Sequence, residues 1–166
     1  MAPQVAGAGT LELQEAEVKA GLLYNFLKYV EPPQPLPSIT VCVFGNDPFG
    51  GYLQPMAGRS VNQKEIALRI VHAVNDTQDC ALVFVAAEEK DRWPQLRKFL
   101  AGKPVITVSD FKGFSALGGM IEFGQENDHI HVALNMDAVD AVHLRVEDRL
   151  LKLVTIVHPG LPEGGR

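Results

Sequence analysis

Apolar positions recur every four residues through Val18, Leu22, Phe26 and Val30, and Leu23 and Leu27 widen the stripe. That period predicts an amphipathic helix over Leu11–Val30. Thr10 is placed to cap it, Glu12, Glu15 and Glu17 suit its positive end, and Lys28 suits its negative end. Glu31-Pro32-Pro33 stops it, and the proline-rich stretch to Pro37 forms a stiff connector. The pattern then changes period. Ile39-Thr-Val-Cys-Val-Phe44 is a short, β-branched apolar run that reads as a buried strand. It breaks at Gly45-Asn46-Asp47, where Asn46 or Asp47 can cap a short helix over Pro48–Ala57 that ends at Gly58. Glu65–Val71 alternates, with Ile66, Leu68 and Ile70 on one face and Arg69 on the other, as in a half-exposed strand near an edge.

Two more unbroken apolar runs, Cys80–Val85 and Val105–Val108, read as buried strands. Between them Glu88–Leu100 predicts a helix with Trp93, Leu96, Phe99 and Leu100 inward, closed by Gly102. Met120–Gly124 and His129–Leu134 form a hairpin across Glu126-Asn127-Asp128. Asn135 caps a helix through Val142, and Glu147–Val154 reads as a last amphipathic helix. Strands interleaved with helices predict an α/β three-layer sandwich: a largely parallel sheet with an antiparallel hairpin edge and helices on both faces. Residues 1–10 are expected to be a flexible leader, 11–157 a single domain and 158–166 a flexible tail.

Composition narrows the function. The 166 residues are 46% hydrophobic and 21% charged, as in a folded domain. A formal charge of −5 argues against a nucleic-acid partner. No apolar run approaches the roughly 20 residues of a membrane span, so no direct membrane insertion is expected. Met1–Thr10 lacks the basic and apolar regions of a signal peptide. It reads either as an ordinary terminus or as the start of a mature chain whose signal has been replaced by Met1. The two cysteines, Cys42 and Cys80, both lie in apolar runs, and two cysteines make one disulfide or none.

Candidate chemistry is sparse. Gly45, Asn46 and Asp47 lead from a strand into a predicted helix, and Ser109 and Asp110 follow another buried strand. In α/β folds ligands collect at such strand ends, which makes these five residues the ligand-binding candidates. The competing reading is a pair of capped turns, because the loop matches neither GxGxxG nor a P-loop. Asp47 and Asp110 could share a metal, but the acidic pair that receiver domains carry on their first strand is missing, and no metal is expected. His129 and His131 share one strand face without the further ligands zinc needs. Neither cysteine lies beside a clear base, so no catalytic residue is assigned and no enzyme activity or cofactor is expected. Tyr24 and Tyr29, off the main stripe of the first helix, and Phe111 and Phe114, in a glycine-bordered loop, are candidates for a partner or dimer interface. The alternative for the loop pair is that they fold back into the core.

Several segments taken together resemble one family. Val18-Lys-Ala-Gly-Leu-Leu-Tyr-Asn-Phe-Leu-Lys-Tyr-Val30 resembles the opening helix of the YfiR-like (DUF4154) proteins, and Val43-Phe-Gly-Asn-Asp-Pro-Phe49 their first strand and turn. Cys80, Val105–Asp110, Gly118–Ile121, Leu134-Asn135 and Arg149–Leu153 follow in the same order, so the resemblance covers nearly all of residues 11–155. It implies a periplasmic α/β sandwich, often dimeric, that represses a membrane-bound diguanylate cyclase by binding its periplasmic sensor domain, or accompanies a sensor kinase. The alternative is a small-ligand sensor using the strand ends. The oxidising periplasm raises a Cys42–Cys80 disulfide to equal standing with two free thiols. If their strands are neighbours, the two cysteines could reach the required Cα separation. Some relatives carry a second cysteine pair in the later loop region. Ser115–Phe123 has none, which argues against redox control through that loop here.

Overall fold

The computed structural model describes residues 3–160, with side chains from Gln14 onward. Most of the expected tail lies outside the described residues. The first helix, α1, spans Pro3–Tyr29. It therefore starts well before Leu11, and Thr10 lies inside it and not at its start. No further proline interrupts the run to Tyr29, and a proline is tolerated in a first turn.

The buried face of α1 keeps Leu23, Phe26 and Leu27 of the expected stripe but turns away from Val18. Ala16, Lys19, Ala20, Leu23, Phe26, Leu27 and Val30 point inward, whereas Val18 is 51% exposed and Leu22 only half-buried. The face follows the i, i+3, i+4, i+7 geometry of 3.6 residues per turn, which a strict spacing of four overshoots. A lysine can join it because Lys19 Nζ meets Glu15 at 2.8 Å and Asp110 at 3.1 Å.

Beyond α1, Val30–Glu31 (β1) pairs antiparallel with Arg145–Val146 (β9) in a two-stranded ribbon. The main sheet has eight strands. In chain order they are β2 (Ile39–Phe44), β3 (Ser60–Val61), β4 (Lys64–Val71), β5 (Leu82–Val85) and β6 (Ile106–Ser109), then β7 (Ile121–Glu126), β8 (His129–Asn135) and β10 (Thr155–Val157). Their spatial order is β10-β8-β7-β6-β5-β2-β4-β3. Neighbours are parallel from β4 across to β7, and β8 returns antiparallel to β7. Asn127 and Asp128 make that turn with φ of 52° and 65°, the left-handed pair a two-residue hairpin requires.

The sheet is covered on both sides, and its strands alternate between two cores. Val41 and Val43 of β2, with Leu82, Phe84, Ile106 and Val108, pack with α1. Cys42 and Phe44, with Val83 and Val85, face the opposite layer around Trp93, Leu96 and Leu100. That layer is built by a 3-10 turn, Ala87–Arg92, leading into α2, Trp93–Leu100. The fold is the expected α/β sandwich with a largely parallel sheet.

Three local expectations need correction. Pro48–Ala57 is not a helix: Gly50 (φ 58°) and Gly51 (φ 93°) turn the chain left-handed, and only Gln54–Met56 coils, as a 3-10 turn. The last helix, α4, spans only Asp148–Leu151, and the β-branched run after it becomes β10, parallel to β8. The hairpin therefore lies one strand in from the sheet edge. The Asn135 cap does hold: its side-chain oxygen accepts the Ala138 N–H at 3.0 Å and opens α3, Met136–Ala141.

Candidate functional site

The five strand-end candidates do not converge on one depression. β5 lies between β2 and β6, which puts their ends about 10 Å apart at ordinary strand spacing. Most of the polar groups there are already engaged. The Asn46 N–H donates to Glu88 Oε2 at 3.2 Å, and Asp47 Oδ1 accepts the Phe49 N–H at 2.7 Å. Ser109 is fully buried; its hydroxyl donates to the Val85 carbonyl at 2.6 Å and accepts the Phe111 N–H at 3.2 Å. Asp110 is held by Lys19. Gly45, at φ 110°, lies so close to the 87–92 turn that a Cβ would stand 2.7 Å from Glu89 Cγ. Of the five residues only Asp110 lines the depression of about 230 Å³ beside Lys19 and Phe49. Asp47 lines a different one.

Cys42 of β2 is bonded to Cys80, two residues before β5, with Cα atoms 6.0 Å apart. Both sulfurs lie in the layer opposite α1. Among the described residues no group of three histidines, cysteines or carboxylates could hold a metal. His131 sits on the exposed hairpin, 3.7 Å from Glu126.

The four aromatic candidates separate into two pairs. Phe111 and Phe114 are buried, at 5% and 0% exposure, and are corrected from surface to core. Phe114 lies between Trp93 and Phe111, tilted to the first and edge-on to the second, with ring centres 4.6 and 5.1 Å away. Their loop folds inward because Glu122 accepts the N–H groups of Gly113 and Ser115 at 3.0 and 2.8 Å. Tyr24 and Tyr29 remain partly exposed on α1. The Tyr24 hydroxyl donates to the Ser60 carbonyl at 3.3 Å, and the Arg59 guanidinium lies 4.1 Å from its ring centre. Lys28 stands between the two rings, 5.5 Å from Tyr24 and 5.2 Å from Tyr29, and Arg149 lies 5.3 Å from Tyr29. A hydrogen bond from Arg149, with the charge of Lys28 behind it, lowers the Tyr29 pKa from its ordinary 10.0.

This tyrosine–cation face was only half legible. Lys28 is four residues from Tyr24 and shares its side of the helix. Arg59 and Arg149 arrive from distant segments, with no local signal. An acidic chain thus gathers three cations around two aromatic rings, a composition suited to desolvated contact with an acidic surface.

Two apolar cavities complete the surface. One, of about 370 Å³, opens at the amino-terminal ends of the strands between Leu27, Leu36, Ile39 and Leu144. The other, of about 310 Å³, lies between α2 and α3. Among the described residues, no helix is long and apolar enough to cross a membrane.

Compared with known proteins, residues 16–155 match the family model described as YfiR/HmsC-like (DUF4154). No curated protein matches the chain.

Proposed function

The chain belongs to the YfiR/HmsC-like family, and from that premise we propose that it is a non-catalytic periplasmic regulator. It binds the periplasmic domain of a membrane-bound signalling protein, a diguanylate cyclase before a sensor kinase, and holds that protein inactive. The observation that carries the interface is the exposed side of α1, where Tyr24 and Tyr29 stand among Lys28, Arg59 and Arg149. Tyrosine and arginine dominate the energetics of protein interfaces, and the charge calls for an acidic partner surface. The Cys42–Cys80 bond supports an oxidising compartment. A homodimer is the competing use of the same face.

The test uses cells lacking the chromosomal copy. Wild-type chain supplied to them should crosslink to a membrane cyclase and lower cyclic-di-GMP. Arg59→Glu/Arg149→Glu should do neither while keeping its thermal midpoint. Cyclic-di-GMP that ignores both loss and return of the wild-type chain, with no signalling protein crosslinked, overturns the proposal. Loss of self-association in the same double variant, seen by sedimentation, would assign the face to the homodimer instead.

A further inference from the structure

We propose that the cavity between α2 and α3 is a binding site for a small organic anion, an apolar body of roughly ten non-hydrogen atoms carrying one carboxylate. The cavity is independent of the tyrosine–cation face on α1. Its walls are apolar: Trp93 and Leu100 from α2, Met120 from the approach to β7, and Val142 from the end of α3. Its space exists because small residues stand where larger side chains would fill it. Gly118, Ala138 and Ala141 are the principal ones. A volume of about 310 Å³ corresponds to roughly ten positions the size of a water molecule. That places it at the small end of ligand cavities, and their usual composition is an apolar lining with a few polar groups that fix orientation.

The charged groups here are cations, and the one other polar side chain, Thr107, accepts the Met120 N–H at 3.0 Å. Arg97 and Lys103 line the cavity, and among the described residues neither forms a salt bridge. Lys103 is held in place, its ammonium 3.9 Å from the Phe99 ring centre. Cations near a helix end often serve only to offset its dipole, and exposed Lys98 suffices for that on α2. The carboxyl ends of α2 and α3 both reach this cavity, and each contributes about half a negative charge at most. Two full positive charges exceed that sum, so the field at the cavity favours an anion. Arg97 offers the planar fork that pairs with a carboxylate. The indole cannot turn to fill the space, because Trp93 Nε1 donates to the Leu117 carbonyl at 2.9 Å.

Trp93 is the chain's one tryptophan, so its fluorescence reports this cavity and not the larger one near Leu36. The experiment titrates the full chain with 8-bromooctanoate, whose bromine quenches indole on contact. Saturable quenching, reversed by plain octanoate, is expected. Arg97→Glu/Lys103→Glu should weaken it at least tenfold, and Ala141→Phe, which fills the rim, should abolish it without lowering the thermal midpoint. Absence of saturable quenching overturns the proposal. So does quenching that both variants leave unchanged, which marks nonspecific partition. Octan-1-ol competing as well as octanoate would overturn the anionic class of the ligand.

Discussion

Reducing the Cys42–Cys80 bond is the most direct perturbation of this fold. The two residues are 38 apart in sequence, and β3 and β4 lie inside the loop they close. In the unfolded chain that crosslink removes loop-closure entropy, about 4 kcal/mol at 25 °C for a loop of this length. Set against a total stability on the order of 5–15 kcal/mol, this is a large fraction. It corresponds to roughly 8–16 °C in Tm for a domain of this size. With a guanidinium m-value of about 4 kcal/mol per molar, the midpoint should fall by about 1 M. The assay compares oxidised chain with chain reduced in denaturant and refolded under reductant, both followed by Trp93 fluorescence. Reduction changes no side-chain volume beyond the bond itself, so the comparison isolates the crosslink better than Cys42→Ala/Cys80→Ala, which adds a cavity. Cys42 is fully buried and Cys80 is 4% exposed, so reductant added to the native state should act only as fast as the chain opens. Coincident unfolding midpoints for the oxidised and reduced chains would refute the reasoning.

Gly119→Ala should cost about 1–3 kcal/mol, because its Cβ would stand 2.2 Å from the Phe114 ring inside the core; chemical denaturation measures this, and Phe114→Leu in the same chain should recover part of it. Arg149→Ala should raise the Tyr29 pKa back toward 10.0, since the guanidinium hydrogen bond is the first cause of its lowering; an NMR titration of the ring carbons shows whether it moves. Asp137 accepts the Gly160 N–H at 2.7 Å and meets His158 at 3.1 Å. These contacts lower its carboxyl below the ordinary 3.8. The sign follows: a depressed carboxylate stabilises the latch above its unfolded pKa, and that contribution disappears as pH falls through the lower folded value. The carboxylate step in the Gly160 amide shift should therefore fall in the acid range below 3.8, whereas Asp137→Asn should abolish that step.

The sheet was legible because its strands carry their signal locally. Ile39–Phe44 is buried at every position, and a run apolar on both faces has few alternatives once it is short and β-branched. The hairpin at Asn127-Asp128 was legible for the same reason: two residues that tolerate positive φ sit between alternating segments. The cap signal failed at Asp47, although it held at Asn135. Asp47 does bond to a backbone N–H two residues on, but the bond closes a turn, and Gly50 and Gly51 carry the chain away from helical geometry. Thr155-Ile156-Val157 was hidden differently. Three residues are too few to show a period, and their strand exists only because β8 offers an unpaired edge.

The candidate surfaces were harder to read than the fold because their chemistry is assembled across the chain. Lys19 looks like one of many lysines on an amphipathic helix. It is buried because Asp110 reaches it from a loop 91 residues away, and that contact takes Asp110 out of the strand-end site expected for it. Burying an unpaired ammonium would be costly, so the pair and the burial of the α1 face require one another. The same logic separates the aromatics. Phe111 and Phe114 have no polar atom to satisfy and fold inward once Glu122 ties down their loop. Tyr24 and Tyr29 keep hydroxyls that need partners, and find them in Ser60 and Arg149 at the rim. An aromatic residue in a loop was therefore a weak sign of exposure, and a tyrosine off the helical stripe a stronger one.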